Sequence, residues 1–242
     1  MNPASLLAPP RIRATEHLDD PRLDTALALR SLADICRSNR LFGGRRAVLA
    51  ELLPAFASAA ALVPPGAMPR AMTLLDVGTG FGDIPAAARA LAASMGVTLE
   101  TTGLEWTVPL AAAARRQCAT SVAGDARRLP FDERSVDIVT CSQLLHHFDD
   151  ADSVALLREM HRVARVRVIV GEIRRSWLAA AGLWLASWPL GFHPVSRHDG
   201  VVSVLRGFRR AELAYLIQRA TGATPSVANR VGFRVTASWS PA

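Results

Sequence analysis

The stretch LLDVGTGFGDIP, residues 74–85, decides the fold of this 242-residue chain. Its apolar start predicts a buried strand, and the alanine-rich residues that follow predict a helix. Between them stand Gly78, Gly80 and Gly82. Glycine suits such a turn because it has no Cβ, so it adopts positive φ and lets a ligand approach the backbone. The stretch therefore predicts a ligand-binding turn between a strand and a helix of an α/β fold.

The spacing of the glycines separates two kinds of ligand. A dinucleotide site has the pattern G-x-G-x-x-G, in which the helix N-terminus faces a pyrophosphate. Asp83 occupies the third glycine position of that pattern, and Asp76 precedes the turn. Two carboxylates at the turn favour a ligand that has cationic groups and no phosphate. S-adenosylmethionine, which carries a sulfonium and an ammonium, is such a ligand.

The pattern D-x-G-x-G-x-G over residues 76–82 resembles motif I of the class I S-adenosylmethionine-dependent methyltransferases. Three more segments resemble later motifs of that family and follow in its order: GDARRLPF (124–131), VDIVTCSQLLHHFDD (136–150) and RVRVIVGEIRR (165–175). The resemblance covers about residues 70–175, and the shared order of the motifs makes it specific. It is closest to the small-molecule methyltransferases of type 11/25.

The fold expected from this resemblance is α/β, with a Rossmann-like, doubly wound sheet of seven strands and an antiparallel last strand. The residues themselves predict five parallel strands separated by helices. They also predict a helix over 212–220, followed by β segments at 226–230 and 233–239. These last two segments resemble the hairpin with which the family closes its sheet.

The domain organisation is predicted in two parts. Residues 1–66 are expected to form an N-terminal arm, loose over residues 1–20, and helices that cover the cofactor. Residues 67–242 are expected to form the methyltransferase domain, with a lid insertion after the fifth strand at about residues 176–208.

The resemblance also implies roles for the cofactor-binding residues. Asp76 should help to bind the ammonium of S-adenosylmethionine, and Glu105 should accept hydrogen bonds from both ribose hydroxyls. Asp125 should accept from the adenine amino group. Taken alone, Glu105 and Asp125 are typical of exposed acids at strand ends, and their place in the motif order favours binding. The predicted cofactor-binding set is Asp76, Gly78, Thr79, Gly80, Gly82, Glu105, Trp106, Asp125, Ala126 and Ser142.

Methyl transfer to a hydroxyl group requires that a proton be removed from the acceptor. His146 and His147 follow the fourth strand, where loop residues of this fold lie over the methyl group, so they are candidate bases. The alternative is that one of them packs or caps the loop. His198, beside Asp199 in the predicted lid, is a third candidate, and its alternative is a solvated surface histidine.

Three tryptophans in the predicted lid, Trp177, Trp184 and Trp188, share one helical face. This face is typical of a helix that packs against a core. It would also serve as the wall of a pocket for an aromatic or lipophilic acceptor, or as a membrane-surface contact.

The amino-acid composition narrows the classes of binding partner that are expected. The net charge is +7, yet all 28 basic residues are arginine and they are dispersed, so no nucleic-acid surface is expected. The three cysteines have no C-x-x-C spacing, and neither a disulfide framework nor a metal is expected. No membrane span is predicted, and a cytoplasmic location is expected. The oligomeric state is left open.

The sequence thus predicts an S-adenosylmethionine-dependent enzyme that methylates a small-molecule acceptor. We expect O-methylation of an aromatic, polyketide-like or lipophilic compound, in secondary metabolism. Two alternatives stay open: an RNA or protein methyltransferase, and a non-catalytic subunit that keeps the methyltransferase fold.

Overall fold

The computed structural model describes residues 9–20, 22–62 and 70–241. A seven-stranded sheet forms its centre, in the strand order β3-β2-β1-β4-β5-β7-β6. The strands are Met72–Val77 (β1), Leu99–Glu105 (β2), Thr120–Ala123 (β3), Val136–Ser142 (β4), Ala164–Ile173 (β5), Ser226–Arg230 (β6) and Arg234–Trp239 (β7). The first five are parallel, and β7 is antiparallel to both of its neighbours. The predicted sheet and its antiparallel last strand are confirmed.

Eight α-helices lie in the described part of the chain. They are Thr25–Leu41 (α1), Gly44–Ala61 (α2), Asp83–Ser94 (α3), Val108–Ala114 (α4), Asp150–Val163 (α5), Trp177–Ser187 (α6), Pro194–Arg206 (α7) and Arg210–Thr221 (α8). No described helix is long and apolar enough to span a bilayer. The predicted helix over 212–220 corresponds to α8.

Both faces of the sheet are covered by helices, which explains why its central strands are almost continuously apolar. On one face, Val48 and Phe56 of α2 pack with Ile84 of α3 against the sheet. On the other face, α5 and α8 supply fully buried side chains such as Met160 and Ile217. Helix α2 therefore belongs to the core of the sheet domain, although it precedes the first strand.

Strand β1 lies between β2 and β4, so the strand order reverses beside it. Ligands of open α/β sheets bind at such a switch point, beyond the carboxyl ends of the strands. The glycine turn follows β1 at this edge of the sheet.

Residues 9–20 form an ordered N-terminal segment, in contrast to the loose arm that was predicted; residues 1–8 lie outside the described part. The amide of Ile12 donates to the carbonyl of Leu205, 3.3 Å away. The amides of His17 and Leu18 donate to the buried carboxylate of Asp199 on α7. These contacts join residues that are far apart in the sequence and produce no periodic pattern there, so they are not predictable from local sequence.

Candidate functional site

A cavity of about 960 Å³ opens at the carboxyl edge of β1, β2 and β4. Its walls come from the glycine turn, the ends of the strands, helix α1 and the N-terminal segment. Leu32 and Ile35 of α1 supply apolar lining, and Asn39 of the same helix supplies an amide. Helix α1 therefore forms the wall of the cavity beside the glycine turn.

The glycine turn has the backbone geometry that its sequence requires. Gly78, Gly80 and Gly82 have φ of 69°, 57° and 76°. A Cβ on Gly78 would lie 2.9 Å from the side chain of Leu144. A Cβ on Gly82 would lie 2.8 Å from Cys118 Sγ, and Gly82 does not line the cavity. Gly78 and Gly80 thus face the cavity, whereas Gly82 permits close packing behind the turn.

Asp76 lies beneath the turn and is buried. Its carboxylate accepts hydrogen bonds from Thr140 Oγ1 at 2.7 Å and Thr79 Oγ1 at 2.8 Å. Burial raises the pKa of Asp76 to about 7, against the lowering effect of these two hydrogen bonds. A cation brought to this wall of the cavity would favour the ionised form, which suits the predicted role beside an ammonium.

Glu105 connects the end of β2 to the glycine turn through hydrogen bonds. Its carboxylate accepts from the amide of Gly80 and, at 3.3 Å, from the amide of Trp106. Burial raises the pKa of Glu105. The side chain of Trp106 is exposed at the edge of the cavity. Glu105 thus lines the cavity with a carboxylate that is oriented by two backbone donors.

Asp125 and Ala126 line the cavity beside β3, as does Ser142 at the end of β4. Arg127 donates to both carboxylate oxygens of Asp125, and these hydrogen bonds lower the pKa of Asp125. Arg127 also donates to Asp152 at the start of α5. An adenine amino group at Asp125 would therefore add a donor to a carboxylate that Arg127 holds in place. All the predicted cofactor residues except Gly82 meet at this one cavity.

His146 and His147 line the same cavity, and each is oriented by a carboxylate. His146 is buried, with Nδ1 2.8 Å from Glu172 Oε2. His147 is partly exposed, with Nδ1 2.6 Å from Asp19 Oδ1 in the N-terminal segment. Because a carboxylate only accepts hydrogen bonds, each Nδ1 carries a proton, and Nε2 is the other ring nitrogen through which each imidazole can act.

His198 does not line this cavity. It is half-exposed on α7, where its Nδ1 lies 2.9 Å from Asp199 Oδ1. Asp199 is shared with His17, whose Nδ1 lies 2.8 Å from the same oxygen. This geometry corresponds to the surface alternative, since Asp199 serves to hold the N-terminal segment.

The predicted lid contributes little to the larger cavity. Of residues 176–208, only Arg206 lines it. Trp177, Trp184 and Trp188 are 53%, 48% and 58% exposed, and they line neither this cavity nor a smaller one of about 340 Å³ beneath α6. Their face is neither core packing nor a pocket wall in this structure. The three tryptophans share one face of α6, as predicted, but the helix buries its other face.

Sequence reasoning missed Glu16, Asp19 and Arg206. Arg206 donates to the carbonyls of His146 and His147, and its Nη1 lies 2.7 Å from Asp19 Oδ2. Glu16 is buried against the same guanidinium. No local motif marks these residues, because they meet only when the N-terminal segment and α7 fold over the loop after β4.

Comparisons with known proteins identify the kind of domain that carries this site. A family model described as a methyltransferase domain matches residues 74–167. A demethylmenaquinone methyltransferase of Roseiflexus sp. (strain RS-1) is 38% identical over 136 residues, which are 53% of each chain. The chain thus spans about half the length of the curated relatives it matches.

Solved structures share the fold at low identity. An S-adenosylmethionine-dependent methyltransferase from Aquifex aeolicus has a TM-score of 0.57 at 14% identity, over 91% of this chain and all of the other. A magnesium protoporphyrin IX methyltransferase from Synechocystis PCC 6803 with bound SAH has a TM-score of 0.53 at 14% identity, over 92% and 90% of the two chains. The predicted family is confirmed: the chain carries a class I S-adenosylmethionine-dependent methyltransferase domain.

Proposed function

We propose that this class I methyltransferase transfers a methyl group from S-adenosylmethionine to an apolar aromatic small molecule of the quinol or phenol type. The observation that carries the proposal is the larger cavity, in which the cofactor residues and the histidine pair line one space of about 960 Å³. Pockets that hold one drug-sized ligand have volumes of about 300–1,000 Å³, and this cavity is at the upper end of that range. The cavity therefore has room for an acceptor close to the cofactor.

The lining of the cavity supports an apolar acceptor. Leu18 and Leu23 line the cavity, together with Leu32 and Ile35 of α1. The relatives named demethylmenaquinone methyltransferases fit the same class of acceptor. Oxygen and carbon are both possible acceptor atoms in this class, and we favour oxygen, as the sequence analysis predicts.

The histidine pair supports transfer to an ionisable group. In-line displacement at the methyl carbon requires an aligned acceptor and, for a hydroxyl, removal of its proton. The Nδ1 atoms of His146 and His147 are held by Glu172 and Asp19, so Nε2 is the ring nitrogen that would take a proton from an acceptor. The Nε2 of His146 has no hydrogen-bond partner among the described residues.

The proposal is tested by supplying methyl-labelled S-adenosylmethionine together with a short-chain naphthoquinol, a catechol, total RNA or a protein extract. We expect label in the quinol or catechol, and mass spectrometry of the product then locates the methyl group on oxygen or carbon. The Glu105→Gln variant is the matched control, because it keeps the volume of the side chain and weakens the proposed ribose contact.

Two results would contradict the proposal. Label in RNA or protein alone would favour a macromolecular methyltransferase. Cofactor binding without transfer to any acceptor, including a metabolite extract of the host, would favour a non-catalytic subunit. Neither alternative draws support from a specific feature of the larger cavity.

A further inference from the structure

The histidine pair and Glu16 form a cluster that lies between the two cavities. His146 and His147 line the larger cavity, and Glu16 lines the smaller one. His146 Nε2 lies 3.6 Å from one oxygen of Glu16, and His147 Nε2 lies 3.8 Å from the other. One ligand atom from each of the three residues falls within 4.8 Å of the others.

These separations are too long for hydrogen bonds, since a side-chain contact of about 3.6 Å or more is not one. The Nε2 atoms therefore face carboxylate oxygens without a hydrogen bond between them. His146 Nε2 has no partner among the described residues, and its side chain is 1% exposed. A buried imidazole nitrogen and a buried carboxylate that face each other across a gap are stabilised by a cation between them.

We propose that Glu16, His146 and His147 bind a first-row divalent metal ion such as Zn²⁺, with an open coordination position toward the larger cavity. Two His nitrogens and one Glu oxygen are a typical ligand set for a catalytic zinc site. Ligand atoms about 2.0–2.2 Å from a tetrahedral Zn²⁺ lie about 3.3–3.6 Å apart. The two observed nitrogen-to-oxygen separations involve different oxygens of Glu16, and the three ligand atoms lie within 4.8 Å of one another, so the side chains must draw closer around the ion.

The groups around the cluster fit a cation. Glu172 and Asp19 accept from the Nδ1 atoms of the two histidines, which is the arrangement that orients imidazole ligands and raises their basicity. The carboxylates of Glu16 and Asp19 face the guanidinium of Arg206, and the carboxylate of Glu172 contacts His146.

A metal at this position would bear on the acceptor. A bound ion would make a hydroxyl oxygen in the open position more acidic, so that its proton would pass to solvent. The requirement for proton removal would then be met by the cation, and the two histidines would act as ligands. This inference concerns metal binding and does not depend on which acceptor is methylated.

The experiment is calorimetric titration of tag-free, chelator-treated full-length protein with Zn²⁺, without cofactor or acceptor. We expect one high-affinity ion per chain. Glu16→Gln and His146→Gln should each lower the affinity at least tenfold, and Glu172→Gln by about 10- to 100-fold, as is typical when a partner of a ligating histidine is lost. His198→Gln is the matched control, because it removes a histidine from the exposed cluster of His17, His198 and Asp199.

The outcomes separate this proposal from the proposed function. No Zn²⁺ binding by the wild type, or loss of binding in His198→Gln alone, would overturn the metal site and leave methyl transfer untouched. If Glu16→Gln fails to fold, His147→Gln replaces it, since His147 is partly exposed. Visible absorption of the Co²⁺-loaded protein, lost in His147→Gln, is a second readout that does not depend on activity.

Discussion

The larger cavity has two walls that are built in different ways. The wall where we propose that the cofactor binds, called the cofactor wall, is made by the glycine turn, Glu105 and Asp125, each placed by a strand end of the sheet. The wall where we propose that the acceptor binds, called the acceptor wall, is made by the N-terminal segment, the loop after β4 and Arg206. The first wall depends on backbone geometry that nearby residues specify, whereas the second depends on side chains that meet from three distant parts of the chain. The cofactor wall therefore follows from motifs, and the acceptor wall follows from tertiary contacts.

The largest effect is expected at Arg206, which holds the acceptor wall together. Arg206→Met leaves Asp19, Glu16 and two loop carbonyls without their buried donor. Breaking a buried ion pair costs about 3–5 kcal/mol, so the free energy of unfolding should fall by that amount in urea titrations. The control is Arg13→Met, whose ion pair with Asp150 is exposed and should contribute less than about 1 kcal/mol. Equal losses in the two variants would show that the acceptor wall does not depend on Arg206.

A smaller effect is expected at Glu105, on the cofactor wall. Glu105→Ala removes the proposed ribose acceptor and the acceptor for the Gly80 amide. Hydrogen bonds to charged groups contribute about 1.5–3 kcal/mol, so calorimetry should show at least a tenfold loss of affinity for S-adenosylhomocysteine. Glu100→Ala, at an exposed position of the same strand, should leave the affinity unchanged. Unchanged affinity in a folded Glu105→Ala protein would show that Glu105 does not contribute to cofactor binding.

The pH dependence of cofactor binding tests Asp76. Its pKa is about 7 in the free protein because of burial, and an ammonium binds the ionised form. From pH 6 to pH 8 the ionised fraction rises about tenfold, so affinity for S-adenosylhomocysteine should rise by up to that factor and then level off.

The linked effect on stability has the opposite sign. Asp76 keeps its proton in the folded state while the unfolded chain loses it, so its contribution to stability is present below pH 4 and is lost as the pH rises to about 7. Asp76→Asn should flatten the binding profile while its melting curve remains cooperative. A profile in the variant as steep as that of the wild type would assign the titration to another group.

The smallest effect is expected at Trp184, which belongs to neither wall. Its side chain is half-exposed, and its ring contacts that of Trp188 with centroids 5.8 Å apart. Trp184→Ala should lower the free energy of unfolding by about 0.5–1.5 kcal/mol, the contribution of one aromatic pair. Phe56→Ala, in the core, should cost about 3–5 kcal/mol. The KM values for cofactor and acceptor should not change. A changed KM for the acceptor would show that α6 contributes to acceptor binding.

The cofactor wall was predictable because its chemistry is local. The glycines, Asp76 and Glu105 stand at fixed places relative to strand ends, and the strands are marked by their apolar runs. The roles of His198 and the tryptophan face were less predictable. Periodicity shows which residues share a face of a helix, but it does not show what that face contacts. In the structure α7 uses Asp199 to hold the N-terminal segment, and α6 leaves its tryptophans exposed.

The sequence by itself determined the α/β fold, the methyltransferase family and the place of the cofactor turn. Those features depend on short-range periodicity and on backbone conformations that only glycine adopts readily. The tertiary structure alone decided that Glu16 and Asp19 meet the histidine pair, and that Arg206 joins them. Such contacts depend on how the N-terminal segment and α7 pack over the edge of the sheet. Packing between distant segments produces no regular spacing of residues in the sequence.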